Sequence, residues 1–356
     1  MSMLLEGIFP PITTPFYPDG SLYLRKLEHN VARYSRTQLA GMVVLGSTGE
    51  AVMLGEEEQR DLLCVAMEAA AKDKVMIAGI GQESVLQTLR MADFAAELHY
   101  DAVLVRTPHF YRAQLHRRDR EPLEMLTYYR AVADRSPLPV ILYSVPALTQ
   151  YDLPVEVIAE LAQHPNIVGI KDSSGDAKRV AAIVAATQTI RRPVTVTHLF
   201  AAVPQRLLVE EQEAMVAAAA LANGSAAITA GAPAPAPAKT RKKEVGFAVL
   251  SGGASTLQDC LDAGAVGGIL AFAACAPQCC YEVWAAFRDG DQALTTEKQQ
   301  KIRTAAIEVG ARMGIPALKY ACDLNGYFGG IPRLPLLPLT AEEQGQVRGY
   351  MADIRY

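Results

Sequence analysis

Three short segments carry residues able to do covalent chemistry. In the run 166–176, Asn-Ile-Val-Gly-Ile-Lys-Asp-Ser-Ser-Gly-Asp, an apolar stretch ends on Lys171. An ammonium group among Ile, Val and Gly loses hydration, which lowers its pKa and supplies the neutral amine that attacks a carbonyl to form an imine. The alternative is a lysine paired with Asp172 or Asp176, and the residues alone leave both open. A second run, 139–147, Pro-Val-Ile-Leu-Tyr-Ser-Val-Pro-Ala, presents Tyr143, either a proton shuttle or a core aromatic with a satisfied hydroxyl. A third, Gly46-Ser47-Thr48-Gly49-Glu50, sets two hydroxyls between two glycines. Backbone amides and hydroxyls can converge there on a carboxylate, although phosphate would fit as well and such a turn is often only a connection.

These segments must be held by regular elements. Apolar, β-branched runs recur at 7–13, 42–45, 75–80, 101–106, 139–144, 167–171, 247–251 and 265–271. Between them, 56–72, 84–98, 123–136, 154–163 and 177–187 repeat apolar residues three and four apart, as helices do. Strand and helix in strict alternation imply parallel strands joined by crossovers, and eight units suit a closed (β/α)8 barrel better than an open doubly wound sheet. Lys171, Tyr143 and the Gly46–Glu50 turn then all fall at the carboxyl ends of strands, where barrel enzymes hold their catalytic groups.

The expected organisation is a barrel over 1–272 and a helical C-terminal region over 273–356, built from 277–289, 296–313, 318–325 and 340–354. The proline-rich run 329–339 cannot be regular helix. Residues 191–245 are an insert, expected on the face opposite the chemistry. It holds an Ala-rich helix candidate at 207–221, an alternating Ala/Pro stretch at 232–238 read as a semi-rigid linker, and a basic run at 239–243.

Composition excludes several classes. The 356 residues are 50% hydrophobic with 34 basic and 38 acidic side chains, so wholesale disorder and a strongly basic nucleic-acid binder are both ruled out. No apolar stretch is long and uninterrupted enough to span a membrane. The first twenty residues hold no Lys or Arg, so neither a signal peptide nor a transit peptide is visible, and a cytoplasmic protein is expected. Cys64, Cys260, Cys275, Cys279, Cys280 and Cys322 lie in apolar segments without metal-ligand spacing and read as reduced core residues.

Taken together, Gly46-Ser-Thr-Gly-Glu50, Tyr143-Ser-Val-Pro-Ala147 and Gly169-Ile-Lys-Asp-Ser173 resemble, in order, the motifs of the N-acetylneuraminate lyase and dihydrodipicolinate synthase family of class I pyruvate aldolases. The resemblance covers nearly the whole chain apart from 191–245 and implies a TIM barrel with a C-terminal helical bundle. It further implies a metal-independent carbon–carbon lyase with no cofactor and a homotetramer or homodimer. By the same resemblance Lys171 is the imine-forming lysine and Tyr143 the general acid/base, while Ser47 and Thr48 bind the 2-keto acid carboxylate and help relay protons. Thr48, Gly49 and Ser173 would bind a 2-keto acid, and Gly252, Gly253 and Ser255 would line the same mouth.

Two departures bear on the branch. Leu148 stands where dihydrodipicolinate synthases carry an arginine that grips the carboxylate of aspartate semialdehyde, and leucine cannot make that contact. Phe110 stands where a second relay tyrosine is expected, so either Tyr111 or His109 substitutes or solvent completes the relay. The strings 143–147, 163–173, 264–268 and 314–319 look more like the 4-hydroxy-2-oxoglutarate aldolase branch, which releases pyruvate and glyoxylate. That branch needs a second carboxylate binder, for which Arg106, Arg112, His116, Arg117 and Arg118 are candidates. Dihydrodipicolinate synthase, a 2-keto-3-deoxy-sugar-acid aldolase and a non-catalytic keto-acid-binding barrel are the alternatives.

Overall fold

The computed structural model describes residues 3–111, 122–197, 201–207 and 240–354. Eight strands form one parallel sheet: β1 (Gly7–Phe9), β2 (Gly41–Val44), β3 (Val75–Gly79), β4 (Ala102–Arg106), β5 (Val140–Ser144), β6 (Ile167–Asp172), β9 (Ala248–Ser251) and β10 (Gly267–Ile269). Two further strands, β7 (Arg192–Thr197) and β8 (Thr240–Val245), make a separate ribbon. The sheet order β1-β10-β9-β6-β5-β4-β3-β2 leaves β1 and β2 at its two ends, and these meet through a parallel bridge between Pro11 and Val43. The sheet therefore closes into a (β/α)8 barrel, and the open doubly wound alternative is excluded.

The crossovers include α1 (Leu24–Ser35), α2 (Glu56–Ala69), α3 (Val85–Glu97), α4 (Leu123–Arg135), the short α5 (Pro146–Thr149), α6 (Val155–Leu161), α7 (Ala177–Thr187) and α8 (Leu257–Asp262). Beyond the barrel come α9 (Pro277–Arg288), α10 (Gln292–Ala305), α11 (Gly314–Leu324) and α12 (Ala341–Tyr350). The expected single helix over 296–313 begins earlier, and Ala306–Arg312 is wound as a π-helix.

Alternation along the strands sorts the core into two layers. Phe9, Val43, Ile77, Leu104, Ile141 and Leu250 fill the barrel, while a larger cluster lies between strands and helices. Strand β6 breaks the alternation with a bulge: Val140 pairs with Ile167 but Ile141 pairs with Gly169, leaving Val168 as an extra residue. An extra residue resets which side chains face inward. Lys171 thereby comes into register with the inward Tyr143.

The insert differs from its sequence reading. Most of the basic run at 239–243 lies in strand β8, which pairs antiparallel with β7 from Arg192↔Val245 to Thr197↔Thr240. Alternate inward residues Val194 and Val196 pack with Leu4, which supplies the burial a linker would lack. The ribbon lies at the amino ends of the barrel strands. Arg192 donates to the carbonyls of Ala162, His164 and Ile167 just before and at the start of β6, and Lys243 lies 3.6 Å from Glu6 before β1. Arg206 binds four carbonyls between Met67 and Lys74 on the same end. The helix expected at 207–221 and the Ala/Pro stretch lie, but for Leu207, outside the described residues.

Candidate active site

The carboxyl ends of β4, β5 and β6 place three side chains in one cross-strand row, Arg106↔Tyr143↔Lys171. Leu104, Ile141 and Tyr143 belong to the inner cluster, so the row points into the barrel mouth. Lys171 is only 4% exposed, and its Nζ lies 4.1 Å from the centroid of the Tyr143 ring. Its suggested carboxylate partners are engaged elsewhere. Asp172 faces the opposite side of the strand, where Arg179 Nε is 2.8 Å away and the Ser174 hydroxyl donates to it. Asp176 caps α7 by accepting from Lys178 N at 2.8 Å. Among the described residues Lys171 has no ion pair, which removes the structural reason for a buried lysine there.

Tyr143 is the meeting point of the site. Its hydroxyl is 3.3 Å from Ser47 Oγ, and Lys171 and Ser173 are its other polar partners. Burial pushes the phenol up, but the Lys171 charge and the hydrogen bonds from Ser47, Lys171 and Ser173 outweigh it, leaving Tyr143 below the ordinary tyrosine value. A phenol so placed can take and return a proton near neutrality more readily than a free tyrosine. Ser173 reaches the group because its neighbour is Gly252: a Cβ at 252 would lie 2.0 Å from Ser173 Oγ. Gly253 donates its N–H to Ser251 Oγ at 3.3 Å, and a Cβ there would lie 3.1 Å from Thr256 Oγ1.

Ser47, Thr48 and Gly49 form one 3-10 turn, with Thr48 and Gly49 buried. Glu50 ends it in the left-handed region at φ 57°, a conformation that costs a non-glycine residue energy unless its surroundings fix it. Those surroundings are a salt bridge with no exposed atoms. Lys319 Nζ on α11 donates to Glu50 Oε1 at 2.6 Å and to Thr14 O at 2.8 Å, while Glu50 Oε2 accepts Arg333 N at 2.7 Å. The C-terminal helices thus hold the turn. The sequence reading assigned no role to Glu50 or Lys319, and their 269-residue separation leaves no local signal.

A cavity opens over this row, lined by Gly46, Ser47, Gly81, Gln82, Arg106 and Tyr143 among others. Lys171, Thr48, Ser173 and Gly253 do not line it directly. Two expected relay residues are not gathered in. His109 sits with its Nδ1 2.8 Å from Arg106 Nη1 and 2.9 Å from Glu83 Oε1, and Tyr111 is exposed with its ring edge-on to the exposed Phe110. Neither is a partner of Tyr143. Leu148 is 60% exposed on α5. Arg112, His116, Arg117 and Arg118 lie outside the described residues. No group of three or more His, Cys, Asp or Glu suited to a metal ion occurs among the described residues.

The closed parallel barrel holds these groups at its carboxyl mouth, and the family its sequence matches is one of aldolase-type lyases. The sequence matches the model of the Dihydrodipicolinate synthetase family over residues 4–191 and 232–353, and the chain belongs to that family. The family works through a lysine imine with its substrate and needs no cofactor. Over 353 residues the chain is 28% identical to a 4-hydroxy-tetrahydrodipicolinate synthase of Acidiphilium cryptum, covering 99% of each. Among solved structures it is similar to a dihydrodipicolinate synthase from Bacillus anthracis, with a TM-score of 0.76 and 23% identity over 99% of this chain and all of that one. It is also similar to the Acinetobacter baumannii dihydrodipicolinate synthase solved with pyruvate, with a TM-score of 0.75 and 26% identity over 99% of both chains. No helix among the described residues is long and apolar enough to cross a membrane.

Proposed function

We propose that the chain forms and breaks a carbon–carbon bond between pyruvate and an aldehyde through an imine on Lys171. The observation carrying this is the buried Lys171 without a carboxylate partner, set against a Tyr143 whose phenol is held below its ordinary value. In the cleavage direction the Lys171 amine adds to C2 of a 4-hydroxy-2-oxo acid and water leaves. Tyr143 takes the proton of the C4 hydroxyl, and the electrons of the C3–C4 bond pass into the protonated imine, releasing the aldehyde and leaving an enamine. Protonation at C3 and hydrolysis of the imine then return pyruvate and free Lys171. Condensation is the same path reversed. The Ser47–Gly49 turn, with its hydroxyls and backbone amides, is assigned to the C1 carboxylate.

The name carried by the full-length relative makes 4-hydroxy-tetrahydrodipicolinate synthesis, from pyruvate and aspartate semialdehyde, the first reading of the aldehyde partner. Leu148 favours the second, cleavage of 4-hydroxy-2-oxoglutarate, because an exposed leucine offers nothing to a carboxylate at that place. Side-by-side turnover of 4-hydroxy-2-oxoglutarate and of pyruvate with aspartate semialdehyde separates them. Condensation with the semialdehyde alone would eliminate the second reading, and cleavage of the hydroxy acid alone would eliminate the first. We place the enzyme in the cytoplasm as a homotetramer or homodimer, where its six free thiols stay reduced. Sedimentation velocity and fractionation of the source cells test both placements.

A further inference from the structure

Arg106 is charged, inward-facing and unused by the imine chemistry. It ends β4, and its predecessors Ala102 and Leu104 face the barrel interior, so the parity of the strand turns Arg106 toward the mouth. It lines the same cavity as Ser47 and Tyr143. Room for it is made by Gly81, where a Cβ would lie 2.8 Å from Arg106 Cγ and 2.5 Å from its backbone N.

Its guanidinium is fixed from one side only. Nη1 makes all of its contacts: Glu83 Oε1 at 2.9 Å, His109 Nδ1 at 2.8 Å and Thr107 O at 3.3 Å. Glu83 is itself anchored, its Oε2 accepting the backbone N–H of His109 and of Phe110, each at 3.0 Å. Nε and Nη2 donate to nothing among the described residues. Among the described residues one edge of a planar, pre-oriented fork is therefore without a partner, and that edge can hold a carboxylate through two parallel hydrogen bonds.

The row also has the order that a substrate would need. Adjacent strands stand about 4.8 Å apart, so Arg106 lies two strands, roughly 10 Å, from Lys171 with Tyr143 between them. A 2-oxo acid joined through C2 to Lys171 would bring its C4 hydroxyl to Tyr143 and whatever follows C4 to Arg106. We infer that Arg106 is a specificity residue that binds a second carboxylate, beyond C4, and so selects dicarboxylic 2-oxo acids. It takes the part that Leu148 cannot.

This inference rests on the Lys171 imine reading, and the test keeps the two apart. The wild-type enzyme is trapped with borohydride and labelled pyruvate in competition with 2-oxoglutarate or with 2-oxopentanoate, which has the same carbon skeleton but lacks the second carboxylate. We expect 2-oxoglutarate to compete roughly 10- to 100-fold better, the range expected of a charge-assisted bidentate contact. In Arg106→Gln that preference should fall to within about threefold, and Arg106→Lys, which keeps charge without the fork, should fall between. If pyruvate labels no lysine, the imine reading fails and this inference with it. If pyruvate is trapped on Lys171 but the two competitors act equally on the wild type, or Arg106→Gln keeps the full preference, only the inference is overturned and Arg106 is a latch for Glu83 and the 107–110 segment. Equal competition on the wild type overturns the inference without any variant, and Arg106→Lys carries the assignment to Arg106 should Arg106→Gln fail to fold.

Discussion

Replacing Lys319 by methionine removes a cation whose Nζ has a carboxylate oxygen at 2.6 Å, a carbonyl at 2.8 Å and the Phe16 ring centroid at 4.4 Å, with no solvent contact for either side chain of the ion pair. Burial pushes the ammonium below the ordinary lysine value while Glu50 pulls it back up, so the pair is held by geometry that a single substitution destroys. Methionine fills nearly the same volume, so the loss is electrostatic rather than a cavity. Leaving Glu50 buried without its cation should cost about 3–5 kcal/mol, the range for breaking one partner of a buried pair. At about 2 °C per kcal/mol for a large domain, Tm should fall by roughly 6–10 °C. Trp284 is the only tryptophan and is buried with its indole N–H on Val266 O, so its fluorescence during urea unfolding reports the barrel–helix junction. In the double variant with Glu50→Gln the residual charge is gone, and part of the loss should return. Because Glu50 ends the Ser47–Gly49 turn, the single variant should also raise KM for pyruvate. A loss under about 1 kcal/mol, with the double variant no better than the single, would refute the reasoning.

Tyr143→Phe keeps the ring against Lys171 and removes only the hydroxyl, so kcat should fall about 10²- to 10⁴-fold in a lactate-dehydrogenase-coupled pyruvate assay while borohydride still labels the enzyme. Asp101, pushed up to about 6 by burial against two backbone N–H donors and Arg206, should destabilise the fold as it ionises. Its raised value means that its contribution is present below about pH 4 and lost as pH rises through about 6, a change of order 3 kcal/mol. Thermal melts between pH 4 and 7 should show the wild type losing stability relative to Asp101→Asn as pH rises through about 6, and parallel curves would contradict it. Gly252→Ala, whose new Cβ would lie 2.0 Å from Ser173 Oγ and 2.8 Å from its Cα, should push the backbone at 173 away from Tyr143 and lower kcat, read from steady-state kinetics with circular dichroism checking that the barrel is retained.

The strands were legible because a barrel strand buried on both faces is a short β-branched run bounded by turns, and each of the eight announces itself in the sequence. The same property hid the bulge. A continuous apolar run such as Ile167–Val168–Gly169–Ile170 carries no period, so nothing local says that Val168 is extra and that Lys171 faces inward because of it. The ribbon was missed for the opposite reason. Thr240–Val245 is dominated by charge, and only its pairing with Arg192–Thr197, far away in the chain, makes it a strand. Long-range partners also account for Glu50 and Lys319, while the open edge of Arg106 depends on where Glu83 lies on the preceding crossover.

Borohydride reduction in the presence of pyruvate, followed by peptide mass mapping, tests the central claim most directly. Lys319 is also buried, but its ammonium is held by Glu50 at 2.6 Å and by Thr14 O at 2.8 Å, and it should stay unmodified. The structure predicts a single reduced pyruvyl adduct, on Lys171, and none in Lys171→Arg. An adduct on any other lysine, or unmodified Lys171 under saturating pyruvate, would contradict the account.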